Sequence, residues 1–137
     1  MRRAVAGAAA AAAAAVLLTG CFDVQSADLF LLTRTGQGST LTLLVNDGGT
    51  VRCDGGKAKP VSDTTLITAR DLSENLATDA QNMLTIPDTP GSVYYFRIRL
   101  QQGTVSFPDR AAASRKVLGQ AELFAAQTAQ QDCGLTG

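Results

Sequence analysis

The side chains that carry most protein chemistry are scarce in this chain. Its 137 residues hold no histidine, three cysteines, and twelve acidic against twelve basic side chains. Without histidine, neither a Ser-His-Asp triad nor a Cys-His pair can be assembled. Histidine-based zinc sites are excluded for the same reason, and Cys53 and Cys133, 80 positions apart, are a poor substitute. No Gly-x-Gly-x-x-Gly or Gly-x4-Gly-Lys-(Ser/Thr) motif occurs. Gly55-Gly56-Lys57 lacks the spacing and hydroxyl of a phosphate loop and reads as a turn. Carboxylates remain. Asp71 and Glu74 sit one helical turn apart, with Asp79 following, and paired carboxylates can do glycosidic acid–base work. They fall on a polar stripe, however, where nothing apolar would raise either pKa. Asp47, Asp54 and Asp88 are scattered through turns without the EF-hand spacing for calcium. No catalytic residue, metal or cofactor is therefore expected, and the chain is read as a non-enzyme.

The sharpest binding feature is a row of large polar side chains. In VYYFRIRL (93–100), Tyr94, Phe96, Ile98 and Leu100 point one way and Tyr95, Arg97 and Arg99 the other, because a strand has a period of two. Arginine suits phosphate and carboxylate through its forked donors. Arg52, on a separate short strand, is the fourth candidate member of this basic face. An anionic envelope polymer, a lipid headgroup or an acidic protein surface would suit it. The competing reading is an ordinary solvated sheet face with long polar side chains.

The N-terminus addresses where such binding would occur. Arg2 and Arg3 precede an uncharged run over 4–18, shorter than the roughly 20 residues of a membrane span. Leu18-Thr19-Gly20-Cys21 then resembles the bacterial lipobox. That resemblance implies a signal peptide over 1–20, cleavage, and a diacylglycerol on the thiol of Cys21. Acyl chains contribute about 0.8 kcal/mol per buried CH2, so two or three anchor firmly. The alternative is an ordinary secretory signal cut near Ala15, which would leave Cys21 as a free thiol. Removing 1–20 leaves ten basic and twelve acidic residues, a slightly acidic balance that gives nucleic-acid binding no electrostatic support. Cys53 and Cys133 remain, and an oxidising compartment makes a disulfide between them the default. A redox pair of free thiols would want Cys-x-x-Cys spacing, which is absent.

The elements that must position these residues can be read from periodicity. Residues 21–28 form a lipidated tether without pattern, and 29–137 a single domain. LFLLTRT (29–35), TLTLLVN (40–46) and TVRC (50–53) read as three antiparallel strands, with Asn46-Asp47-Gly48-Gly49 as a hairpin turn. CDGGKAKP (53–60) is a loop by composition. Ser62 or Asp63 can cap a helix running to Leu84, with Leu66, Ala69, Leu72, Leu76, Ala80 and Met83 on one face. Pro87 and Pro90 follow it, then the 93–100 strand and a return strand TVSF (104–107). A second helix spans 113–131, with Val117, Ala121, Phe124 and Thr128 in one stripe and Leu118 and Ala125 beside it.

The order βββ-α-ββ-α predicts an α+β domain, an antiparallel sheet of about five strands in two layers with both helices on one face. A Cys53–Cys133 bond would put the helices on the Val51 face and leave Arg52, Tyr95, Arg97 and Arg99 uncovered. The apolar first strand could dock a partner if it lay at a sheet edge; a central position makes it core.

The mature region also resembles a group of small actinobacterial lipoproteins of unknown function. The stretches that carry this are FLLTRTGQGSTLTLLVNDGGTVRCDGGKAKP, ITARDL, LQQGTVSFPD and QDCGL, spanning about 29–135. The resemblance implies an extracytoplasmic address and a paired Cys53–Cys133, and transfers no functional residue. A looser similarity in size and α+β content links the chain to secreted subtilisin-inhibitor-like proteins. That family has two disulfides and an exposed reactive loop, whereas this chain has cysteines for one. The expected function is thus a monomeric, lipid-anchored extracytoplasmic binding module. The alternative is a membrane-tethered inhibitor of a secreted protease or other hydrolase, presenting the 54–60 or 85–91 loop.

Overall fold

A computed structural model describes residues 24–135. The expected signal peptide over 1–20, the expected lipid on Cys21 and the first residues of the expected 21–28 tether lie outside the described residues. Strands β1 (Asp28–Gly36), β2 (Ser39–Asn46), β3 (Thr50–Cys53) and β4 (Ala58–Pro60) are followed by helix α1 (Asp63–Gln81), strands β5 (Tyr95–Leu100) and β6 (Gly103–Pro108), a 3-10 turn (Asp109–Ala113) and helix α2 (Lys116–Gln131). The chain is α+β. Its six strands make one antiparallel sheet in the order β4-β3-β2-β1-β5-β6. The apolar first strand is central, between β2 and β5, so it offers no edge to a partner.

Alternation decides which side chains enter the core. Phe30 and Leu32 on β1, Leu43 and Val45 on β2, Val51 on β3, Phe96 and Ile98 on β5, and Val105 and Phe107 on β6 join one buried cluster. The same cluster takes Ala69, Leu72, Leu76 and Ala80 from α1, and Leu118, Ala121, Phe124, Ala125 and Ala129 from α2. Each helix thus contributes the stripe its spacing of three and four dictates. Phe30 of the sheet meets Phe124 of α2 edge-on at 5.6 Å, and within the sheet Phe96 stacks on its cross-strand neighbour Phe107 at 5.2 Å. Cys53, on the Val51 side of β3, bonds Cys133 just beyond α2, with Cα atoms 5.8 Å apart.

Four boundaries differ from expectation, each with a local cause. The sheet has six strands rather than five, because Ala58–Pro60 pairs with β3 (Val51 opposite Lys59). A lysine and a proline on a three-residue strand are edge-blunting chemistry, which by composition reads as loop. Helix α1 stops at Gln81 instead of Leu84. Met83 turns left-handed (φ 53°), and Leu84 and Ile86 leave to hydrogen-bond Ser106 on β6. Met83 is consequently 59% exposed rather than on the apolar face. β5 starts at Tyr95, because Asp109 takes the Val93 and Tyr94 N–H groups. Residues 109–113 form the 3-10 turn, and Arg115, in extended backbone, delays α2 to Lys116.

Two further details fix the frame. Ser62 caps α1 by accepting the Thr65 N–H at 3.1 Å. Gly103, at φ 154°, brings the β5–β6 turn against α1, where a Cβ would run into the Ala80 carbonyl. At the start of β1, Asp28 opens the strand and is buried, its carboxylate accepting the Gln25 N–H (2.9 Å) and the Asn46 amide (3.0 Å). Gln101 donates to the Ser26 carbonyl at 2.9 Å, so residues 25–28 are bound to the sheet.

Candidate anion-binding face of the sheet

The alternation that buries Phe96 and Ile98 turns their neighbours outward. Register gives two informative rows on that outward face. In one, Arg52, Leu44, Leu31 and Arg99 follow one another across β3, β2, β1 and β5. In the next, Thr42, Thr33, Arg97 and Ser106 do so across β2, β1, β5 and β6. Thr35 and Thr40 lie beyond, beside Tyr95. The face therefore combines guanidinium groups with hydroxyls. Leu31 is only 6% exposed although it lies outside the core cluster, between Leu44 and Arg99 in its row.

The four sequence candidates share this face but do not converge on one point. Arg97 and Arg99 are two residues apart on β5, about 6.7 Å along the strand. Arg52 is three strands away from Arg99, about 14 Å at strand spacing. Its guanidinium donates to the Gly56 carbonyl of its own loop at 3.2 Å. The Tyr95 hydroxyl donates to the Ile86 carbonyl at 3.0 Å, so the ring is pinned beside β6 and its O–H is occupied. Arg52 and Arg97 are the exposed members of the set, while Tyr95 and Arg99 are half-buried. The compact element is thus Arg97 with Arg99, ringed by threonine and serine, with Arg52 as a distant third cation.

Arg34 belongs to the opposite surface, where its guanidinium lies 4.6 Å from the centre of the Tyr94 ring. Arg70 pairs with Asp47 at 2.7 Å and Arg115 with Asp79 at 3.1 Å. Asp71 and Glu74 are exposed on α1, as a solvated helix face requires. The carboxyls with altered chemistry are others. Burial, helped by the nearby Asp109 charge, pushes Glu122 of α2 up to about 7. Asp109 accepts the Val93 and Tyr94 N–H groups through Oδ2 (3.1 and 3.3 Å), and its Oδ1 is buried without a partner. Burial also raises Asp132, whose Oδ2 is likewise buried without a partner. The available signal for Glu122 was a single acid inside the apolar run Ala121–Ala126 of α2.

Of the two loops suited to an inhibitor, residues 58–60 of the first are strand β4, and residues 87–91 of the second are exposed. Among the described residues, no three His, Cys, Asp or Glu side chains cluster to hold a metal ion, and no helix is long and apolar enough to cross a membrane. Compared with protein-family models, curated proteins and solved structures, the chain matches none.

Proposed function

We propose that this protein is a lipid-anchored extracytoplasmic binding module, not an enzyme, that holds an anionic polymer of the cell envelope against its uncovered sheet face. The carrying observation is the outward row on β5: Arg97 and Arg99 side by side, with Thr33, Thr42 and Ser106 hydroxyls in register with Arg97. Two forked cations with adjacent hydroxyl donors suit phosphate or carboxylate groups. The 14 Å step to Arg52 favours an extended polymer over a single small anion, since only a long ligand reaches both ends. The lipobox-like Leu18-Thr19-Gly20-Cys21 supports the address. Asp28 opens β1 seven residues after Cys21, so a lipid there would hold the domain within about 25 Å of the bilayer. The disulfide fits an oxidising compartment.

The test uses the full chain in detergent with two probes, long-chain polyphosphate and polygalacturonate. Wild type is expected to bind at least one, with affinity falling as salt rises. Arg97→Ser with Arg99→Ser is expected to weaken binding about tenfold, a charge-assisted contact or two; Arg97→Ser alone should weaken it less and leave melting unchanged. Arg52→Ser should give a smaller loss. Equal binding by wild type and the double variant, or no binding of either probe, overturns the reading.

A further inference from the structure

Between α1 and α2 the surface opposite the sheet opens into a groove. It holds one basin of about 350 Å³ and another of about 210 Å³, and Thr68, Phe124 and Gln127 line both. Helical periodicity builds its walls. Thr64, Thr68, Asp71 and Asn75 recur along α1 at steps of three and four, and Gln120, Leu123, Gln127 and Gln131 do the same along α2. Leu72 and Phe124, both buried, form the floor.

The composition of these walls is unusual for two solvent-facing helix stripes, which normally carry charges of both signs. Asp71 is the one charged residue lining either basin. The rest of the polar lining is hydroxyl and carboxamide. Among the described residues, the carboxamides of Asn75, Gln120, Gln127 and Gln131 make no hydrogen bond within the chain. Each carboxamide offers two donors and an acceptor, and Asp71 accepts only. Such a set matches a ligand rich in neutral hydroxyls, which both donate and accept. It gives an anion no cation and gives a cation a single carboxylate. Leu123, 58% exposed on the α2 wall, supplies an apolar surface for the C–H face of a sugar ring. The walls are also held in advance. Both helices are packed into the core, and the disulfide ties the chain two residues after Gln131. A preformed site avoids the ordering cost of binding, and the larger basin falls within the size of ordinary ligand sites, about 300–1,000 Å³.

We propose that this groove is a binding site for a short neutral glycan. It is separate from the sheet face and does not depend on it. The experiment titrates the full chain, in a detergent without a sugar headgroup, with chitotetraose, cellotetraose and maltotetraose. Each is carried to about 10 mM by calorimetry, enough to detect millimolar affinity. At least one is expected to bind. Gln120→Ala with Gln127→Ala should weaken that binding about tenfold, two neutral hydrogen bonds, with melting unchanged because alanine favours a helix. Asn75→Leu, on the facing wall, should weaken it as well, and Arg97→Ser should leave it intact. No heat with any of the three sugars, or binding that survives both groove variants, overturns the proposal.

Discussion

On β5 the two faces of one sheet alternate residue by residue. Phe96 and Ile98 are 3% and 1% exposed, while Arg97 between them is open to solvent. The same holds on β1, where Leu32 is fully buried and Thr33 is not. The strands are identical in backbone and pairing for both sets. What separates the faces among the described residues is what packs against them: helix stripes and a disulfide lie on one, and the other carries the exposed Arg52 and Arg97. Stability should therefore reside in the covered face, and recognition of an anion in the uncovered one.

The sharpest break of this contrast is removal of the staple that ties α2 to the covered face. Cys53→Ser with Cys133→Ser opens a loop of 80 residues and is expected to cost about 4 kcal/mol in denaturant unfolding. Next, Leu32→Ala should cost about 3 kcal/mol and its neighbour Thr33→Ala less than about 0.5, read as urea midpoints at constant m. If both cost the same, the two faces are not energetically distinct. Leu31→Ala tests the boundary. Leu31 is buried yet on the uncovered face, so it should lose the transfer free energy without an enclosed cavity, about 1.5–2 kcal/mol.

A smaller effect is expected from the acid behind the covered face, and its sign depends on pH. Glu122 holds its proton up to about 7 in the folded chain, against 4.5 ordinarily. Between those values the unfolded chain has released a proton that the folded one still binds. Stability then falls as pH rises through the window and levels off above it. Glu122→Gln cannot ionise, so it should melt higher than wild type at pH 8 and show little advantage at pH 4. An equal shift at both pH values would assign the effect to packing instead. The smallest change in stability is expected from Arg97→Ser, within about 0.5 kcal/mol, although it should weaken binding of an anionic polymer.

How far these regions were legible in the sequence depends on how local the information is. VYYFRIRL assigns Tyr95, Arg97 and Arg99 to one face through period two alone, and the Ala69–Leu72–Leu76–Ala80 stripe follows from helical spacing. Lys59 and Pro60 hid β4, because an edge strand pairs through its backbone and has no apolar face to display. The end of α1 was misplaced because Met83 adopts a left-handed turn to serve pairing with β6, a partner more than twenty residues away. Glu122 looked like one more helix acid. Only packing of α2 against the turn at Asp109 makes its charge costly.

The sequence by itself determined the alternation, the helix stripes, a cap at Ser62 or Asp63 and the absence of histidine chemistry, all properties of residue types or of residues within a turn or strand of one another. The tertiary structure decided the rest: that β1 is central, that Arg52 stands about 14 Å from Arg99, that the Tyr95 hydroxyl is bound to Ile86, and that two polar helix stripes face each other across a groove. These are distances and exposures between segments far apart in the chain. They exist only after hydrophobic burial has chosen one packing of the helices on the sheet.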